Sequence, residues 1–139
     1  MSPSPTSAPA RRILVAEDDP LLARSMRRVL EAAGYTVVHR ADGAAAWATF
    51  QAEPEGFALV LADATMPGLD GRTLLERIRG QAPAVPLLLV SGFAGEAELL
   101  EGARRVGAEV LAKPFRPEAL LEAVRRCLEA APPREEEDS

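Results

Sequence analysis

The chain has 139 residues, 47% hydrophobic and 27% charged, which suits one domain with a sizeable core. No apolar run approaches the roughly 18 residues of a membrane span, and the N-terminus lacks the basic start and apolar stretch of a secretory signal, so a cytoplasmic protein without membrane attachment is expected. The net charge is −5; Arg134–Ser139 carry one positive and four negative charges, leaving −2 for the rest, a balance that argues against a nucleic-acid partner.

In chain order, residues 1–10 are uncharged and rich in Ser, Pro, Thr and Ala, the composition of a disordered leader or linker. Ile13–Ala16 is a short apolar run and predicts a buried strand. Asp19 then caps a helix that has Pro20 at its first position, places Leu22, Met26, Val29 and Ala33 on one face, and ends at Gly34. Tyr35–Val38 predicts the second strand. Asp42 caps the second helix, with Ala46 and Phe50 on its buried side and Trp47 as partial core. Phe57–Ala62 is the third strand, and a helix from about Asp70 to Arg79 buries Leu74 or Leu75 with Ile78. Pro86 leads into the fourth strand, Leu87–Val90. A weaker helix from about Gly95 to Arg105 follows, its rigidity lowered by Gly95 and Gly102. Glu109–Ala112 is the fifth strand, and Pro117–Ala130 a helix with Leu120, Val124 and Leu128 on one face. Pro132 and Pro133 close it, so the domain spans 11–131 and residues 132–139 form an acidic disordered tail.

Strands alternating with helices predict an α/β fold, a doubly wound (βα)5 five-stranded parallel sheet with helices on both faces. In the flavodoxin-like strand order 2-1-3-4-5, strands one and three are neighbours. Ligands of such sheets sit outside the carboxyl ends of the strands. The residues at those ends are Glu17, Asp18 and Asp19 after strand one, Asp63 after strand three, Ser91 with Gly92 after strand four, and Lys113 with Pro114 after strand five.

Glu17, Asp18 and Asp63 converge in this arrangement, and three carboxylates in one crevice repel. Mg2+ answers that repulsion, because it takes one or two carboxylates, several waters and a phosphate oxygen. Lys113 adds weight: the other 15 basic residues are arginine, so the single lysine opposite the acids reads as a compact point charge. The Ser91 hydroxyl can donate to a phosphoryl oxygen, and Thr65 stands in the loop where a backbone carbonyl can face an ion.

The strings ILVAEDDP, LVLADATMPGLDG, LLLVSG and LAKPF resemble the four signature segments of response-regulator receiver domains, over about Arg11 to Ala131. The resemblance implies Asp63 as phosphoacceptor, Glu17 and Asp18 as the acidic pair of a Mg2+ site, and the Thr65 carbonyl as a further ligand. It implies Ser91 and Lys113 as contacts to the phosphoryl group. It also implies a sensor histidine kinase or a histidine phosphotransfer protein as donor, and an unidentified downstream protein target. Under it the chain is a signalling domain and not an enzyme, with self-phosphorylation and autodephosphorylation chemistry. No output domain is expected after the receiver, which acts alone, through a partner, or as a segment of a longer sensor kinase.

One departure stands out. Many receivers carry Tyr or Phe three residues before the lysine, and this chain has Val110. A degenerate receiver that binds partners without phosphorylation is therefore the alternative. Phe93 either shields the phosphoryl group or packs. An aspartate-nucleophile phosphatase fits less well, because its second acid two residues after the nucleophile is replaced by Thr65. A flavin-binding flavodoxin fits least, because Glu17, Asp18 and Asp19 repel phosphate. Cys127 reads as a core or boundary thiol, and His39, the single histidine, as a surface strand residue.

Overall fold

The computed structural model describes residues 11–92 and 97–130, apart from the side chains of Ala97 and Leu99. The expected leader and tail, Phe93 and the Gly95 start of helix four lie outside these residues. Among the described residues five strands alternate with five helices. They are β1 (Arg12–Ala16), α1 (Pro20–Ala32), β2 (Thr36–Arg40), α2 (Gly43–Ala52), β3 (Leu59–Asp63), α3 (Gly71–Gln81), β4 (Leu87–Ser91), α4 (Ala97–Arg105), β5 (Ala108–Ala112) and α5 (Pro117–Ala130). The sheet is wholly parallel in the order β2-β1-β3-β4-β5, as the alternation predicts.

Side chains alternate between the two faces of each strand, so the sheet separates two cores. On one face Leu14, Val60, Ala62, Leu87 and Leu89 pack with Ala46 and Phe50 of α2 and with Leu74, Leu75 and Ile78 of α3. On the other, Ile13, Val15, Leu59, Leu61, Leu88 and Val90 meet Met26 and Leu30 of α1 and Leu120, Val124 and Cys127 of α5. Every residue of β3 and β4 is buried, which is why both strands read as unbroken apolar runs up to the residues that end them.

The helix starts are local chemistry. Asp19 Oδ1 accepts from the Leu21 N–H at 3.0 Å, Asp42 Oδ1 from Ala45 at 2.7 Å, and Asp70 Oδ1 from Thr73 at 2.8 Å. Each carboxylate satisfies an amide that the helix leaves without a partner. The buried stripe of α1 differs from expectation. It is centred on Ala23, Met26 and Leu30, with Leu22 and Val29 partly buried, and Ala33 is exposed. Ala33 is the C-cap and lies past the last turn that packs, and Gly34 follows with φ 101°, the left-handed conformation that ends helices. Trp47 is half-buried as partial core, stacked on Phe50 at 6.5 Å between ring centres. Cys127 is a core thiol, and burial pushes its pKa up to about 12.

Two glycines of α3 behave oppositely. Gly71 closes onto the end of β3: its N–H donates to the Ala64 carbonyl at 3.2 Å, and a Cβ here would overlap the Asp63 carbonyl. Gly80 is exposed and a Cβ there meets nothing within 4 Å. We therefore expect Gly80→Ala to stabilise the protein by about 0.5 kcal/mol through helix propensity. Gly71→Ala should cost about 1–3 kcal/mol through overpacking. Urea unfolding of the two variants checks both signs.

Candidate functional site

The three buried polar side chains among the described residues are Glu17, Asp63 and Ser91, at 0%, 4% and 1% exposure. All three stand where a strand gives way to a loop at the carboxyl edge of the sheet. Buried polar groups are costly unless paired, so their concentration at one edge marks that edge as the chemical end of the fold.

β1 and β3 are adjacent, with Ala16 paired to Ala62, and this register brings their following acids together. Ligand oxygens of Glu17, Asp18 and Asp63 lie within 4.8 Å of one another. Lys113 follows β5 from the far side of β4, its N–H donating to the Ser91 carbonyl at 2.8 Å. Its Nζ lies 3.0 Å from Asp63 Oδ2 and 4.0 Å from Glu17 Oε1. Asp63 Oδ1 accepts from the Thr65 N–H at 3.3 Å. Ser91 ends β4, between the strands that carry Asp63 and Lys113.

The acidic run after β1 divides its labour. Asp19 turns outward to cap α1, while its own N–H donates to Glu17 Oε2 at 3.0 Å. Asp18 is exposed, and Glu17 is wholly buried. Burial above all pushes Glu17 up to about 7 from an ordinary 4.5; nearby Asp63 adds to the rise, and the Asp19 N–H and Lys113 oppose it. Glu17 Oε1 is buried and has no hydrogen-bond partner, the one such side-chain atom among the described residues. When ionised this oxygen only accepts, and, buried without a hydrogen bond beside two further carboxylates, it fits a hard cation with oxygen ligands.

The structure thus gathers Glu17, Asp18, Asp63 and Lys113, and places Ser91 at the end of β4 and Thr65 in the loop after β3. His39 departs from expectation. It is half-buried at the end of β2, with Nε2 2.8 Å from the Glu17 carbonyl. The available signal was its position near the end of a strand beside β1; a solitary histidine without metal-ligand company gave no reason to use it. Val110 is half-buried and packs against the core shared with α2 and α3. No helix of the described residues is long and apolar enough to cross a membrane.

Comparison with known proteins places this arrangement. Residues 13–125 match the family model described as the response regulator receiver domain. The response regulator receiver protein CpdR of Brucella abortus is 38% identical over 87% of this chain and 99% of its own length. The response regulator protein FleR of Pseudomonas aeruginosa is 36% identical over 93% of this chain, which spans only 27% of that longer protein. A CheY-like receiver domain structure from Methanospirillum hungatei superposes with a TM-score of 0.81 at 29% identity, over 94% of this chain and all of that one.

The raised pKa of Glu17 has a definite sign in the metal-free protein. Between its ordinary 4.5 and about 7, the folded state holds a proton that the unfolded state has released. Stability from this group therefore falls as pH rises through that window. We expect the melting temperature in chelator to drop more steeply from mildly acidic to mildly alkaline pH in wild type than in Glu17→Gln. Parallel melting curves for the two proteins would contradict this assignment.

Proposed function

The chain belongs to the response-regulator receiver family of two-component signalling, and from that premise we propose that Asp63 is its phosphoacceptor. The observation that carries the proposal is the pairing of a buried Asp63 with the chain's single lysine at 3.0 Å, beside a buried glutamate whose Oε1 has no hydrogen bond. In the proposed reaction an Asp63 carboxylate oxygen attacks the phosphorus of a phosphohistidine. The O–P bond forms as the N–P bond breaks, and the imidazole leaves. The donor is a sensor histidine kinase or a histidine phosphotransfer protein.

Phosphoryl transfer asks a protein mainly for positioning and charge stabilisation. Asp63 is held by its buried strand, by Gly71 packed on its carbonyl and by the Thr65 N–H. Lys113 is placed to neutralise charge on the incoming group, and Ser91 stands at the strand end where a hydroxyl can donate to it. Glu17, Asp18 and Asp63, with the Thr65 carbonyl, are the residues we assign to Mg2+. Bound there, the ion relieves carboxylate repulsion and offsets charge on the transferred group. Hydrolysis of the acyl phosphate then resets Asp63.

We place the chain among signalling domains, not enzymes acting on free substrates, and infer that it works through a protein target. Val110 favours a second reading, in which binding to that target does not depend on phosphorylation. At this position many receivers carry an aromatic ring that follows the Ser/Thr hydroxyl, and Val110 has no ring to move.

Incubation with Mg2+ and a small phosphodonor should add one phosphoryl group to the intact mass of wild type and none to Asp63→Asn. Unlabelled wild type, or undiminished labelling of the variant, would sink the phosphoacceptor assignment. Saturating Mg2+ should also raise the melting temperature of wild type, because a ligand of the native state stabilises it. Asp18→Asn should lose most of that rise. Turnover of an aryl phosphate far faster than decay of the acyl phosphate would overturn the non-enzymatic assignment.

A further inference from the structure

Glu17 is restrained at nearly every polar atom. Its N–H donates to the Arg40 carbonyl at 3.1 Å, continuing the β1–β2 ladder past Ala16. Its Oε2 accepts from the Asp19 N–H at 3.0 Å. Its backbone carbonyl faces His39 Nε2 at 2.8 Å. Only Oε1 is left without a hydrogen bond, and it lies among the acids. A carbonyl oxygen only accepts, so Nε2 must carry the proton in this contact.

His39 is itself anchored. Arg40 Nη1 donates to the His39 carbonyl at 2.8 Å, and Arg40 Nε donates to Thr49 Oγ1 on α2 at 2.8 Å. The end of β2 is thereby tied to α2, and through His39 to the turn that carries the acid pair. Among the described residues β2 is the edge strand of the sheet. The Glu17 turn is steadied from that edge by these bonds.

We propose that His39 is a positioning residue for the candidate metal site: by donating from Nε2 to the Glu17 carbonyl, it fixes the turn from which Glu17 and Asp18 present their carboxylates. This rests on the Mg2+ assignment above. His39 acts through Glu17 and does not touch the ion. Its role needs only the Nε2–H. Partners that orient metal ligands typically govern affinity by about 10–100-fold.

Calorimetric titration of the full chain with Mg2+ tests the proposal, using His39→Leu, which lacks the donor, and His39→Gln, whose side-chain amide can restore it. We expect His39→Leu to bind Mg2+ about tenfold more weakly than wild type, and His39→Gln to recover most of the loss. A merely structural role would lower the melting temperatures of both variants and leave Mg2+ affinity unmoved. Equal affinity of wild type and His39→Leu overturns the proposal. Nitrogen NMR of the wild-type imidazole at mildly alkaline pH gives a measurement independent of whether either variant folds. The Nε2–H form supports the clamp, and the Nδ1–H form overturns it. Wild type that binds no Mg2+ overturns the metal assignment and the positioning role with it; wild type that binds normally while the ring is Nδ1–H overturns the role of His39 alone.

Discussion

Carboxylate crowding at the carboxyl edge of the sheet is the constraint on which the rest of the site depends. Three acids converge there, and one lysine answers them. Glu17 is buried with an oxygen that no protein group satisfies, and its proton affinity rises accordingly. In the function proposed above, a cation and a phosphoryl group would complete electrostatics that the protein leaves incomplete, local cost being characteristic of functional sites.

Such crowding survives because the surrounding scaffold is rigid. β3 and β4 are buried along their whole length, so Asp63 and Ser91 cannot drift without disturbing both cores. Asp19 serves α1 as a cap and Glu17 through its N–H, so the helix start and the acid turn form one unit. Gly71 lets α3 begin directly against the Asp63 carbonyl. Lys113 is joined to β4 by its own backbone before its side chain crosses to Asp63. Each of these contacts lies on a strand or helix or within a few residues of its end.

Chemistry and readout separate at Val110. The groups proposed for phosphoryl transfer stand together, yet the position that carries an aromatic ring in many receivers holds a short branched residue packed against the core. A ring exchanging between buried and exposed positions is therefore not available at residue 110.

Much was legible before any coordinates. Short apolar runs marked the strands and stripes at helical spacing the helices, and Asp19, Asp42 and Asp70 marked three helix starts because capping is a matter of a few neighbouring residues. The acids, serine and lysine announced themselves by standing at strand ends, and the lysine also by being the only one. The register of β1 on β3 was a different matter, since parallel pairing is made between distant segments. So was the centring of the α1 stripe on Ala23, Met26 and Leu30, which depends on how the helix rolls against α5 and the sheet.

The clearest division falls between Glu17 and His39. The sequence by itself determined that acids end the first and third strands, because strand period and composition are local properties. Only the tertiary structure decided that Glu17 is wholly buried while Asp18 is exposed, and that His39 reaches the Glu17 carbonyl 22 residues away. Burial and long-range hydrogen bonds depend on which surfaces meet when the sheet assembles, and no short stretch of sequence contains both surfaces.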